Sequence, residues 1–351
     1  MAKWEENVRK VVPYVPGEQP VGKKMVKLNT NENPYPPSPN VAKVLRELNA
    51  DNLRLYPDPT AKILVDELSD HYGVAPDQIF VGVGSDDVLA MAFLTFFNGT
   101  KPILFPDITY SFYDVWANLY GIAYECPLLD DAFEIKKEDY MRENGGIILP
   151  NPNAPTGICQ GLDEIKEILD HNLDVVVIID EAYIDFGGIS VLSLIDAYDN
   201  LLVVQTFSKS RSLAGMRIGY AFAQPKLIKY LNDVKYSFNS YTMDQTALHM
   251  GVAAIKDTAY FEKTVGKIIH TRAWVKKELA ALGFTFGDSK GNFIFAAHPV
   301  YKAELLFEAL KAEEIYVRYF KRPRIDNYLR ITIGTDEEMQ TLLAFLKNYM
   351  K

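Results

Sequence analysis

Residues 175–179 read Val-Val-Val-Ile-Ile, and residues 201–205 read Leu-Leu-Val-Val-Gln. Runs this short, this apolar and this rich in β-branched side chains suit strands buried on both faces, as in a parallel sheet covered by helices. Ile79–Val83, Pro102–Phe105 and Gly146–Leu149 are further strands on the same reading. Between them, Asp86–Phe97 and Asp163–Asp170 carry helical patterns. The alternation predicts an α/β fold with a mostly parallel sheet flanked by helices.

The flanks read differently. Residues 1–30 form an extended arm, broken by Pro13, Pro16, Gly17 and Pro20. Residues 31–39 hold four prolines and make an open loop, with a helix starting after Ser38. Beyond about residue 245 the pattern changes. A long helix over Thr258–Leu282 ends at Gly283, and strands at Gly291–Ala297 and Tyr328–Ile333 bracket a helix over Ala303–Glu314. Thr335-Asp336-Glu337-Glu338 is a capping box opening a last helix. The expected organisation is an arm (1–30), a large domain (31–245) and a smaller α+β domain (246–351).

Composition excludes some classes of partner. A formal net charge of −9 argues against nucleic acid and anionic membranes, both of which need a basic face. Cys126 and Cys159 read as free thiols in a reducing compartment, and the five histidines show no metal-ligand spacing. The first residues carry Glu5 and Glu6 where a signal peptide needs an apolar run, so a cytoplasmic protein is expected.

In an open α/β sheet, ligands gather beyond the carboxyl ends of the strands. The residues just past each predicted strand are therefore the candidate site. Gly84-Ser85-Asp86 leads from a strand straight into a helix, whose N-terminal N–H groups suit a phosphate. An ordinary N-cap at Ser85 is the plainer reading of the same residues. A nicotinamide fingerprint is excluded, because Asp87 stands where its third glycine would be. Asp180 closes the most apolar strand, where a carboxylate needs a cationic partner such as a protonated pyridine nitrogen, a structural salt bridge or helix N-cap being the plainer reading, and Tyr183 comes three residues later. Thr206, Ser208 and Lys209 close the next strand, and Arg217 lies eight residues further on. A desolvated lysine can attack a carbonyl, while an arginine suits a phosphate. Tyr110 is placed to stack on an aromatic ring. Arg318, Lys321, Arg322, Arg324 and Arg330 form a basic cluster on an acidic chain, suited to an anionic substrate group.

These residues together resemble the fold-type-I pyridoxal-phosphate enzymes. Thr206-Phe207-Ser208-Lys209 through Arg217-Ile218-Gly219-Tyr220 is similar to the lysine segment of the class I/II aminotransferases. Asn151-Pro152-Asn153-Ala154-Pro155-Thr156-Gly157 and Asp180-Glu181-Ala182-Tyr183 match that family's ring-contacting segments. A narrower resemblance, to the histidinol-phosphate aminotransferase branch, rests on residues 28–35 (Leu-Asn-Thr-Asn-Glu-Asn-Pro-Tyr), 55–59 and 328–334.

The resemblance implies a fold-type-I large domain with a smaller second domain, and pyridoxal 5'-phosphate held as a Schiff base on Lys209. Asp180 would pair with the ring nitrogen, Tyr183 with the ring oxygen, and Tyr110 would stack on the ring. Ser208, Arg217 and the Gly84–Asp86 turn would hold the cofactor phosphate, with Thr206 beside them. Tyr56 would reach the phosphate in the partner subunit of a homodimer. Tyr14, Asn31, Arg318 and Arg330 would hold the substrate. The amino donor would be histidinol phosphate and the acceptor a 2-oxo acid, 2-oxoglutarate. The rivals are an aromatic aminotransferase, a threonine-phosphate decarboxylase and a regulator with an aminotransferase-like domain. Many relatives carry asparagine just before Pro-Thr-Gly where this chain has Ala154; either Asn153 substitutes for it or the contact is lost.

Overall fold

The computed structural model describes residues 3–15, 17–20 and 25–351, so Pro16 of the arm lies outside the described residues. In chain order the strands are β1 (Val26–Lys27), β2 (Ile79–Gly82), β3 (Ile103–Leu104), β4 (Tyr124–Glu125), β5 (Ile147–Pro150), β6 (Val177–Asp180), β7 (Leu201–Thr206), β8 (Gly219–Ala223), β9 (Thr285–Phe286), β10 (Phe293–Ala297), β11 (Ile315–Tyr316), β12 (Arg318–Tyr319) and β13 (Tyr328–Thr332). The helices are α1 (Pro39–Glu47), α2 (Lys62–Tyr72), α3 (Ser85–Phe96), α4 (Tyr113–Tyr120), α5 (Leu162–His171), α6 (Pro225–Phe238), α7 (Gln245–Lys256), α8 (Thr258–Ala281), α9 (Ala303–Ala312) and α10 (Asp336–Tyr349).

A seven-stranded sheet runs in the order β2-β8-β7-β6-β5-β3-β4. From β7 to β4 the pairings are parallel, whereas β8 is antiparallel to both of its neighbours. Gly219, which opens β8, pairs with both Gly82 and Thr206. The start of β8 therefore lies at the same edge as the ends of β2 and β7. The strands alternate strictly between two cores. Val177, Ile179, Leu201, Val203, Tyr220 and Phe222 face α2, α5 and α7, while Ile178, Leu202, Val204, Ala221 and Ala223 face α3, α4 and α6. Full burial of each large aliphatic side chain contributes roughly 1.5–3 kcal/mol. That two-sided burial is why residues 177–179 and 201–204 are apolar on both faces.

The remaining strands build a four-stranded antiparallel sheet, β12-β13-β10-β9. It packs with α8, α9 and α10 around Ile268, Leu279, Ile294, Leu306, Leu329, Ile331 and Leu342. Leu28 is wholly buried in this core, and its segment joins it through the parallel pair β1–β11. α7 packs instead on α1 and α2.

Helix ends follow their side chains. Ser38 accepts from the Asn40 N–H at 3.1 Å and opens α1, with Pro39 at its first position. Thr335 and Glu338 exchange the reciprocal bonds of a capping box at the start of α10. Several expected limits move by one or two residues. β6 begins at Val177 rather than Val175, and α9 stops at Ala312, short of Glu314, which is left-handed at φ 58°. Ser85 is not an N-cap: Gly84 takes that place at φ 86°, and Ser85 is the first helical residue.

Candidate active site

Asp180, Lys209, Arg217 and the start of α3 come together at one edge of the large sheet. A cavity of about 180 Å³ there is lined by Thr30, Glu32, Ser85, Asp86, Tyr110, Asp180, Tyr183, Ser208, Lys209 and Arg217, together with Ala154 and small neighbours. Two glycines allow this convergence. A Cβ on Gly219 would strike the main chain of Gly84 and Ser85, and one on Gly84 would strike the Arg217 guanidinium. Arg217 holds a left-handed φ of 51°, which turns its side chain back toward Asp86, 3.3 Å away. The N–H groups of the first turn of α3 open onto the same end, where an anion is favoured. Thr206 stands behind the wall, with its hydroxyl 3.0 Å from that of Ser208.

Asp180 is almost fully buried. The Tyr113 hydroxyl donates to it at 2.8 Å and the Ala182 N–H at 3.1 Å. Burial pushes its carboxyl up to about 6 despite those bonds, with Asp86 adding to the rise and Lys209 opposing it. A buried carboxylate held by neutral donors is short of a cation. Lys209 is half-buried; its Nζ donates to the Thr30 carbonyl at 3.4 Å and lies 5.7 Å from the Tyr183 ring centre. The Tyr183 hydroxyl accepts from Asn31 at 2.9 Å and keeps its own proton to give. Tyr110 donates to Asp86 at 2.8 Å and is held well above the ordinary tyrosine range by burial and by that carboxylate.

Other expected residues lie elsewhere. Asn153 does not line the cavity: its amide donates to the Ile108 carbonyl at 2.9 Å and to Thr156, while Ala154 forms the wall. Asn153 is thus not among the residues lining this cavity, and its Oδ1 is buried without a hydrogen-bond partner among the described residues. Asn31 is left-handed at φ 54° and spends its side chain on Tyr183 and Thr332 rather than on the cavity wall. Tyr56 is 81% exposed, outside its own chain's cavity, and stacks on Tyr241 at 4.6 Å.

A second cavity of about 400 Å³ is lined by Tyr14, Thr109, Ser111, Arg318, Lys321 and Arg322, among others. Tyr14 stacks on Phe112 at 4.1 Å. Arg330 is half-buried beside the Phe293 and Phe320 rings, donates to the Asn29 carbonyl at 3.0 Å, and feels Tyr183, Tyr110, Tyr14 and Arg318 around it. Its Nε is buried without a hydrogen-bond partner among the described residues. Two members of the basic cluster are engaged elsewhere: Arg324 pairs with Asp107 at 2.6 Å and Lys321 with Glu304 at 3.2 Å. Among the described residues, no group of three or more His, Cys, Asp or Glu side chains could hold a metal ion.

The sequence did not point to Tyr113, Glu32 or Glu181. Tyr113 looks like any aromatic on an amphipathic helix. Glu181 is fully buried and accepts from Ser190 at 2.6 Å, the Val191 N–H at 2.7 Å and Gln205 at 2.8 Å. Burial pushes it up to about 7 against those bonds. A carboxyl whose folded pKa is raised contributes stability below its unfolded pKa, and that contribution is lost as pH rises through about 7. In cofactor-free protein, Glu181→Gln should therefore flatten the fall in stability between about pH 4.5 and pH 8, by up to about 3 kcal/mol. Urea midpoints at the two pH values measure it; an unchanged slope would contradict the assignment.

The aminotransferase class I and II family model matches residues 23–346. A histidinol-phosphate aminotransferase of Lactococcus lactis subsp. cremoris (strain MG1363) is 54% identical, covering 99% of this chain and 98% of that protein. The crystal structure of the histidinol-phosphate aminotransferase from Clostridium acetobutylicum superposes with a TM-score of 0.85 at 23% identity, covering 92% of this chain and 98% of that one. The Sinorhizobium meliloti histidinol-phosphate aminotransferase, solved in complex with pyridoxal-5'-phosphate, gives 0.84 at 22% identity, covering 92% and 90%. The chain belongs to the class I and II aminotransferases, and within them to the histidinol-phosphate aminotransferase family.

Proposed function

We propose that the chain transfers the amino group of histidinol phosphate to 2-oxoglutarate, yielding imidazole-acetol phosphate and glutamate on the route to histidine. Pyridoxal phosphate is the cofactor, and when bound it supplies an electron sink for the amino-transfer chemistry. The residues present fit it. Asp180, short of a cation at the cavity floor, would hold a proton at the ring nitrogen. Lys209 would bind the group covalently, and its amine, once freed by substrate, would carry the proton to and from the reacting carbon. Tyr183 would donate to the ring oxygen. Ser208, Arg217 and the first-turn N–H groups of α3 would hold the phosphate, and Tyr110 would cover the ring. We further propose a large cofactor-binding unit and a small unit, with residues 1–30 as the arm; the boundary expected at 245/246 moves past α7, because α7 packs on α1 and α2 and its Ala247, Leu248 and Ile255 lie in the core of the large unit.

The observation that carries the substrate is the second cavity beside the first. Arg318 and Arg322 line it, and the incompletely bonded Arg330 lies near Tyr14 and Tyr183. This cavity serves as the anion site of the proposed reaction because its walls adjoin those of the first cavity: Thr109 and Ser111 flank Tyr110, and Pro155 follows Ala154. Histidinol phosphate should be used at least ~10²-fold more efficiently than histidinol, because a site built to bind a group leaves buried polar atoms unpaired without it. Arg330→Lys should lower that preference, since it keeps the charge but loses the planar fork. Equal kcat/KM for the two donors would remove the phosphate from the proposal and favour an aromatic amino donor; carbon dioxide release would point to a decarboxylase.

The working form is proposed to be a cytoplasmic homodimer, with Tyr56 completing the phosphate site of the partner. Supporting this, Leu53, Leu55, Tyr56, Phe238 and Tyr241 are all exposed. Gln245 donates to the carbonyls of Asn52 and Leu55, fixing the segment that carries three of them. No helix among the described residues is long and apolar enough to cross a membrane.

A further inference from the structure

Lys209 acts through a four-carbon stem, so the position of its Nζ is only as well defined as the main chain beneath it. That main chain is irregular: β7 ends at Thr206, and residues 207–213 form turns rather than a strand or helix. The carbonyls of Lys209 and Ser210 therefore need partners from outside the sheet. Asn33 provides both. Its Nδ2 donates to the Lys209 carbonyl at 3.0 Å and to the Ser210 carbonyl at 3.2 Å. Its Oδ1 accepts from the Tyr35 N–H at 3.0 Å, a local turn that fixes which way the amide faces.

The same short segment reaches Lys209 from its other end, because Thr30 offers its carbonyl to Nζ. On its far side the segment is tied to the small sheet. Leu28 bonds to Tyr316 and Thr332, Asn31 bonds to Thr332 and Asn292, and Arg330 donates to Asn29. Residues 28–33 thus form a strap whose one edge carries the anion-binding arginine and whose other edge grips the lysine.

We propose that Asn33 is a positioning residue for the amino-transfer reaction: it locks the Lys209 main chain to this strap and so sets where Nζ meets the substrate. The proposal rests on the reading of Lys209 as the cofactor-bearing base. A purely structural Asn33 would affect folding alone. A positioning Asn33 must also change the surroundings of Nζ, which bonds the Thr30 carbonyl and lies 5.7 Å from the Tyr183 ring centre, and so move the pH titration of a cofactor bound there.

The test uses cofactor-loaded Asn33→Ala and the near-isosteric Asn33→Asp, which also lacks the paired N–H donors. Three quantities are measured: the pH titration of the bound cofactor's absorbance, kcat and KM for the amino donor, and the thermal midpoint. The titration midpoint should move by at least ~0.5 pH unit. The kcat should fall ~10- to 100-fold while KM stays within ~3-fold, the scale expected when a reacting group is misplaced by a fraction of an ångström to one ångström. Loss of stability with titration and kcat unchanged, or failure of both variants to fold, would assign Asn33 to the scaffold and overturn the proposal. Wild-type protein whose borohydride-fixed label sits on another lysine would instead overturn the reading of Lys209. The two failures are therefore separable.

Discussion

Lys209→Ala should fold, bind pyridoxal phosphate without fixing it, and lose at least ~10²–10⁴-fold in turnover of the amino donor, the range for removal of a positioned acid–base group. Among the described residues, Lys209 is the one lysine on the wall of the first cavity, so its neighbours there offer no replacement amine. The fold should tolerate the change, because the lysine side chain makes a single long hydrogen bond, to Thr30. Borohydride reduction and then peptide mapping give the direct readout. Wild-type protein should carry the label on the peptide containing Lys209, and the variant should carry none. A label retained in the variant and mapped to a different lysine would end the assignment.

Asp180→Ala should cost at least ~100-fold in turnover, the scale for removing a main charge-stabilising group. The expected cause is specific. In the cofactor-free protein Asp180 is a buried carboxyl pushed up to about 6, which a cationic ring nitrogen would convert into a firmly ionised partner. Tyr113→Phe is the informative companion, since it keeps the carboxylate but removes one neutral donor at 2.8 Å. Its effect should stay near tenfold or below, about the value of one hydrogen bond. If Asp180→Ala retained near-normal turnover with cofactor bound, Asp180 would belong to the strand's packing instead.

The parts of this site that end buried strands could be read before any coordinates. Asp180 and Lys209 each come after a run with no polar face, so periodicity alone put them at a sheet edge. Ser38 and the Thr335–Glu338 box were legible because capping is local chemistry. β8 was read only as part of the lysine motif, although Tyr220 and Phe222 alternate with Ala221 and Ala223 as a two-sided strand requires. Two-residue strands such as β1 and β11 are too short to carry a period at all. Tyr113 and Asn33 were missed for another reason: each acts on a residue far away in the chain, Asp180 and Lys209 respectively, and no local pattern marks the partner. The sequence left open whether Asn153 stands in for the family's asparagine, because identity and spacing near Pro155 do not say which of two adjacent residues faces the cavity; Ala154 is the one that does.

The reversed strand β8 bears on how the site comes into being. Residues 207–218 close β7 onto β8 within a short loop, so the segment holding Lys209 and Arg217 is joined by contacts near in sequence. β2 pairs with the same strand across more than a hundred residues, and it brings Gly84 and the start of α3 with it. Short closures form early and long ones late in folding. The lysine and the arginine thus belong to a hairpin that can assemble during synthesis soon after both strands emerge, while the helix end that faces them docks as a separate, slower event. The anion site is complete only when both ends of that history have met at Gly219.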